Sequence, residues 1–173
     1  MTEPVFFLNM FPDYEPPEVL KSALSQAAIA AADIDPENRS VEVALKMEHY
    51  VPRRLLQQTA KDITDAYGLK QMDIRPVYPS SELQKVEPEE LMTLFVEQNS
   101  MNRGALAGAK WQWDGNTLTV QLLGNGKKQL EESAREVQRD LLERFGVSVE
   151  IVIVPGQSLS GQELFAAMEK LRG

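Results

Sequence analysis

Hydrophobic positions along the chain change period in a fixed order, and the order runs twice. Val41, Val43 and Leu45 alternate with polar neighbours, the period of a half-buried strand over 41–46. Beyond them Leu55, Leu56, Thr59, Ile63 and Ala66 recur every three or four residues, an apolar stripe on a helix over 52–67. Gly68 then offers the left-handed conformation that ends helices. Residues 71–77 return to strand, with Met72 and Ile74 together, and Pro76 and Pro79 predict an edge position. Downstream, Leu118, Val120 and Leu122 alternate. Leu130, Ala134, Val137, Leu141 and Phe145 line a helix over 127–145, and Gly146 precedes a strand over 147–154. Ile63, Tyr67, Gly68 and Leu69 match Leu141, Phe145, Gly146 and Val147 at one constant offset. Such a repeat predicts two small domains of like architecture.

The remaining segments complete each copy. Pro16-Pro17-Glu18 opens a helix reaching about Ala28, because proline suits the first turn and an acid suits the positive end of the dipole. The Ala-rich run that follows is ambiguous; residues 29–34 read as a short strand, turned by Asp35-Pro36-Glu37-Asn38. Pro79-Ser80-Ser81 opens a connector to a helix over 88–99, with Leu91, Leu94 and Phe95 on one side, which Asn102-Arg103-Gly104 breaks. Strands over 110–113 and 117–123, joined by Asp114-Gly115-Asn116, form a hairpin. Ser160-Gly161-Gln162-Glu163 has the pattern of a capping box and opens a last helix over 163–171, with Leu164, Phe165, Met168 and Leu171 apolar. Each half therefore reads helix–strand–strand–helix–strand, and the crossover helix makes its two flanking strands parallel. The expected fold class is α+β, in two layers, with similar domains over 1–79 and 80–157 and a helix or linker over 158–173.

Charge narrows the partners. The net charge of -8 is spread evenly, with 12 acids and 8 bases in residues 1–80 and 14 and 10 beyond. That argues against broad attachment to phosphate backbones, which needs clustered Lys and Arg. Without cysteine there is no disulfide, thiolate metal site or thiol nucleophile. The first residues lack a basic region and a long apolar run, unlike a signal peptide. No stretch approaches the roughly 18–20 apolar residues of a membrane span. A soluble, cytoplasmic protein without a membrane partner is expected.

Candidate chemistry is sparse. His49 stands alone beside Glu48 and Tyr50 and reads as an exposed loop residue. The acid pairs Asp62/Asp65, Glu89/Glu90 and Glu131/Glu132 fall on outward helix positions or first turns, so no catalytic residue, metal ligand or cofactor is expected. Gly124-Asn125-Gly126 leads into Lys127 and Lys128 at a helix start, where free amides favour anions, yet it lacks the P-loop and dinucleotide spacings. Trp111 and Trp113 share a face and suit either base stacking or the core; alternation puts them with Leu118 and Val120. The N-terminal aromatics Phe6, Phe7, Phe11 and Tyr14 are the candidate partner-binding residues, since aromatic anchors dominate interfaces. The alternative is that they cap the first domain's core.

Several of these segments carry a resemblance. Arg39-Ser40-Val41-Glu42-Val43, the Val51-Pro52 helix start, Ala66-Tyr67-Gly68 and Ile74 resemble the N-terminal region of PolC-type DNA polymerase III alpha subunits. Gly108-Ala109, Trp113-Asp114-Gly115-Asn116 and Arg144-Phe145-Gly146-Val147 are similar to the domain that follows in that region. The resemblance implies that the chain is part of a replicative polymerase whose nucleotidyl transfer and 3'-5' exonuclease centres lie in later domains. It implies a first domain that contacts the clamp-loader tau subunit and a second like a truncated type-II KH domain. A KH domain clamps nucleic acid with a Gly-x-x-Gly loop between two helices. Here Gly124-Asn125-Gly126-Lys127 follows a strand, with the second glycine misplaced and one helix missing. The alternatives are a KH-like single-stranded nucleic-acid-binding module, with Lys127 and Lys128 touching DNA, and a free-standing interaction adaptor.

Overall fold

The computed structural model describes residues 3–156 and 161–172. Its elements, in order, are α1 (Phe7–Met10), α2 (Glu18–Ser25), β1 (Ala28–Asp35), β2 (Ser40–Lys46), α3 (Arg53–Tyr67) and β3 (Gln71–Val77). A 3-10 helix (Ser80–Lys85) follows, then α4 (Pro88–Gln98), α5 (Asn102–Leu106), β4 (Lys110–Asp114), β5 (Thr117–Gln121), α6 (Lys127–Phe145), β6 (Glu150–Val154) and α7 (Gly161–Arg172). Contacts divide the chain into two compact units, one reaching Leu91 and adding Arg139–Ser148, the other made of Met92–Gln138 and the chain from Val149 onward. The contact boundary thus falls twelve residues beyond position 79, and the end of α6, from Arg139, belongs with the first unit.

The fold class is α+β, with the same small architecture in each unit. In the first, β1 runs antiparallel to β2 and β2 parallel to β3, in the order β1-β2-β3. In the second, β4, β5 and β6 repeat that arrangement. Both crossover helices end alike: Gly68 and Gly146 have φ of 64° and 68°, where a side chain is disfavoured. Gly115 has a φ of 58° in the two-residue turn between β4 and β5, the first-position geometry that suits a twisted hairpin.

Burial follows the alternation. Val41, Val43 and Leu45 of β2 are buried, with Leu56, Thr59, Ala60 and Ile63 of α3. The α3 stripe is therefore turned slightly from the expected one, with Ala60 inside and Ala66 exposed. In the second unit Leu118 and Val120 face Trp113 and Trp111 across the hairpin, as alternation required, and Phe95 lies 6.2 Å from Trp111. Leu130, Ala134, Val137, Leu141 and Phe145 of α6 are all buried.

One local expectation is corrected. α2 stops at Ser25, because Ala28 is taken into a strand: it pairs with Lys46 and bridges Phe6, and the Ile29 N–H donates to Val5 C=O at 2.7 Å. Tertiary pairing overrides alanine's helical preference there. α4 stops at Gln98 ahead of Asn102-Arg103-Gly104, which itself opens the short α5, and the connector after Pro79 contains the 3-10 helix. Ser160, and with it the expected capping box, lies outside the described residues, as does the Leu164 side chain.

Candidate functional site

The four N-terminal aromatics do not form an exposed anchor. Phe7 has no exposed surface, Phe11 and Tyr14 are buried, and only Phe6 is half-buried. Phe7 and Phe11 meet at 5.3 Å between ring centres, and Phe11 meets Tyr67 of α3 edge-on at 5.4 Å. Tyr14 donates its hydroxyl to Thr59 at 3.3 Å, and the Asp13 N–H donates to the Tyr67 hydroxyl at 2.9 Å. Burial pushes the Tyr14 phenol up, against the lowering effect of Thr59. The segment is pinned onto α3 because a small sheet needs large rings to close its core. Phe7, Phe11 and Tyr14 thus take the alternative place, capping the core of the first unit.

A buried polar cluster lies where the loop after β2 meets the 3-10 helix, the start of α4 and the end of α6. Glu82, 3% exposed, accepts from the Tyr50 N–H at 3.1 Å and lies 2.5 Å from Lys85 Nζ and 2.9 Å from His49 Nδ1. The Lys85 ammonium, then His49 and the Tyr50 amide, hold its carboxyl below the usual range. His49 keeps most of its ring in solvent, as expected, but is tied to a buried acid. Glu90, expected on an outward position, is also buried; it accepts from the Tyr50 hydroxyl at 2.9 Å and from the Arg53 N–H, with Arg144 at 3.5 Å. Arg144 holds Asp140 at 2.7 Å as well. The Tyr78 hydroxyl bonds both the C=O and the N–H of Val51, at 3.0 and 3.3 Å, while its ring stacks on Phe145 at 5.1 Å. Burial drives the Tyr50 and Tyr78 phenols upward. The Glu82 and Glu90 carboxylates and the Tyr50 and Tyr78 phenols each bond a neighbour, so the cluster fastens four segments together.

Beside this cluster, in the first unit, runs a groove of about 870 Å3. One wall is the α3 face bearing Arg53, Gln57, Lys61 and Thr64; the C-terminal end of α6 adds Asp140, Glu143 and Arg144. The other wall is Lys70 and the whole of β3, Gln71 to Val77, without interruption. β3 is an outer strand of its sheet.

In the second unit Lys127 and Lys128 are exposed at the start of α6, and Lys127 sits 3.8 Å from Glu131 one turn on. The loop before them is shaped by backbone crowding: the Gly156 N–H donates to Gly124 C=O at 3.0 Å, and a Cβ on Gly156 would fall 2.1 Å from the Leu123 oxygen. Asn102, fully buried, donates to Phe95 C=O at 2.7 Å and to Ser133 at 2.9 Å, and accepts from Gln129 at 2.8 Å. The sequence marked it as a helix breaker; it is the polar tie between α4, α5 and α6. Its own alternation of small and polar neighbours gave no sign of burial, whereas Glu90 shared the face of Leu91 and Leu94 and was detectable from that spacing.

Among the described residues there is no group of three or more His, Cys, Asp or Glu placed to hold a metal, and no helix long and apolar enough to cross a membrane. No protein-family model matches the chain, and no curated protein matches it.

Proposed function

We propose that this chain is a non-catalytic interaction region of a PolC-type replicative DNA polymerase, acting in the cytoplasm and docking onto the clamp-loader tau subunit. The single observation that supports this best is the pair of small helix–strand–strand–helix–strand units, in keeping with the two small domains the resemblance implies. Two of the segments quoted for the resemblance occupy equivalent places, Tyr67-Gly68 and Phe145-Gly146, which end the two crossover helices. The test is a calorimetric titration of the chain with the C-terminal region of a tau subunit. A saturable one-to-one complex is expected, and no heat at concentrations well above micromolar would sink the proposal. A second reading, a KH-like module that grips single-stranded DNA, draws on the exposed Lys127 and Lys128 at the start of α6. The same titration with oligothymidylate separates the two.

A further inference from the structure

We propose, on the protein-binding reading above, that the groove beside β3 holds an extended acidic segment of the partner, added to the first sheet as a fourth strand. Side chains of a strand alternate between faces, so eight successive residues line one groove only where that groove follows the strand's backbone edge. The hydrogen bonds identify the row that faces it. Val77 C=O accepts the Met47 N–H at 2.9 Å, so residue 77 turns toward β2, and residues 71, 73 and 75 share its side. Met72, Ile74 and Pro76 therefore turn their backbone groups outward. Pro76 has no N–H to lose, which suits this side. None of the three has a backbone partner on that side among the described residues. The row ends at Tyr78, whose N–H is already taken by Arg144 C=O at 2.6 Å, so the slot is closed at one end and open along its length. An unpaired outer row of this kind is what β-augmentation uses.

Charge selects the occupant. The groove is lined by five bases, Arg53, Lys61, Lys70, Arg75 and Arg144, against three acids, in a chain whose net charge is -8. Arg75 is paired with Glu42 and Arg144 with Glu90 and Asp140. Lys61 and Lys70, one on each wall, have no carboxylate partner among the described residues. A strand carrying its own carboxylates would supply one.

The probe is a capped octapeptide of alternating Glu and Val, with a Lys-for-Glu version and a version N-methylated at alternate residues as comparators. Titration into the chain is followed by amide NMR shifts and hydrogen exchange. The Glu peptide is expected to move and slow the Met72 and Ile74 amides. The N-methylated peptide should not bind. Lys61→Glu with Lys70→Glu should weaken the Glu peptide about ten-fold, the sum of two modest surface attractions, at an unchanged melting temperature. Equal binding of the Lys peptide, shifts confined to other strands, or no shift at millimolar peptide would overturn the inference. Tau binding that survives both Lys substitutions would likewise overturn it while leaving the proposed function intact. Peptide capture in the groove without tau binding would do the reverse.

Discussion

Phe7 has no contact with solvent, and its ring is one link in a chain of three running from α1 to α3. Phe7→Ala should therefore cost about 3–5 kcal/mol, the range for emptying a large buried aromatic site. Urea denaturation measures it, and a loss under about 1 kcal/mol would return Phe7 to the surface. At Glu82 the sign of the pH effect is set by its lowered carboxyl. The stability it contributes is complete above the ordinary glutamate value near 4.3 and is lost as pH falls through its lower folded value. Glu82→Gln should thus lower the melting temperature at pH 7 and flatten the further fall between pH 5 and pH 3. A variant with an undiminished acid slope would show that Glu82 is not the group responsible. Single residues were the least legible scale in the sequence. Burial of Phe7 and Asn102 depends on partners 20 or more positions away, which local spacing does not encode.

At the scale of elements, α6 and β3 were read with correct ends because strong periodicity coincided with glycine and proline punctuation. The end of α2 was misread where a tertiary partner decides. The end of α3 shows a further device. Arg39 stands at φ 50°, an uncommon conformation for a residue with a side chain. From there its Nε donates to Gly68 C=O at 2.7 Å and its Nη2 to Tyr67 C=O at 3.3 Å, placing a cation on the negative end of the helix. Arg39→Ala keeps the backbone strain and loses both bonds, so it should cost about 1–2 kcal/mol. Arg39→Gly also relieves the strain and should cost less. The order of the two variants in chemical denaturation is the check; alanine equal to or better than glycine would contradict the strained cap.

At the scale of the molecule, the duplication was legible because both copies keep the same order of periods, and the α+β class followed from it. The groove beside β3 was not, since it is assembled from α3, β3 and the end of α6, whose mutual placement no periodicity reports. Whole-chain charge bears on the DNA alternative. Phosphate-backbone binding releases counterions and weakens steeply with salt. With a net charge of -8 and two exposed lysines at the start of α6, the chain is expected to bind oligothymidylate undetectably at about 150 mM salt. Tight, salt-steep binding would favour the KH-like alternative instead.

The last turn of α6 carries a practical warning for anyone dissecting this polypeptide. Arg144 and Phe145 are counted with residues that precede them by more than 50 positions, neutralising Glu90 and covering the ring of Tyr78. A deletion series that stops at residue 79, where the repeat invites the scissors, would strip that ring bare. The resulting fragment would be sticky and poorly folded, and a failed pull-down with it would say nothing about which half recognises a partner.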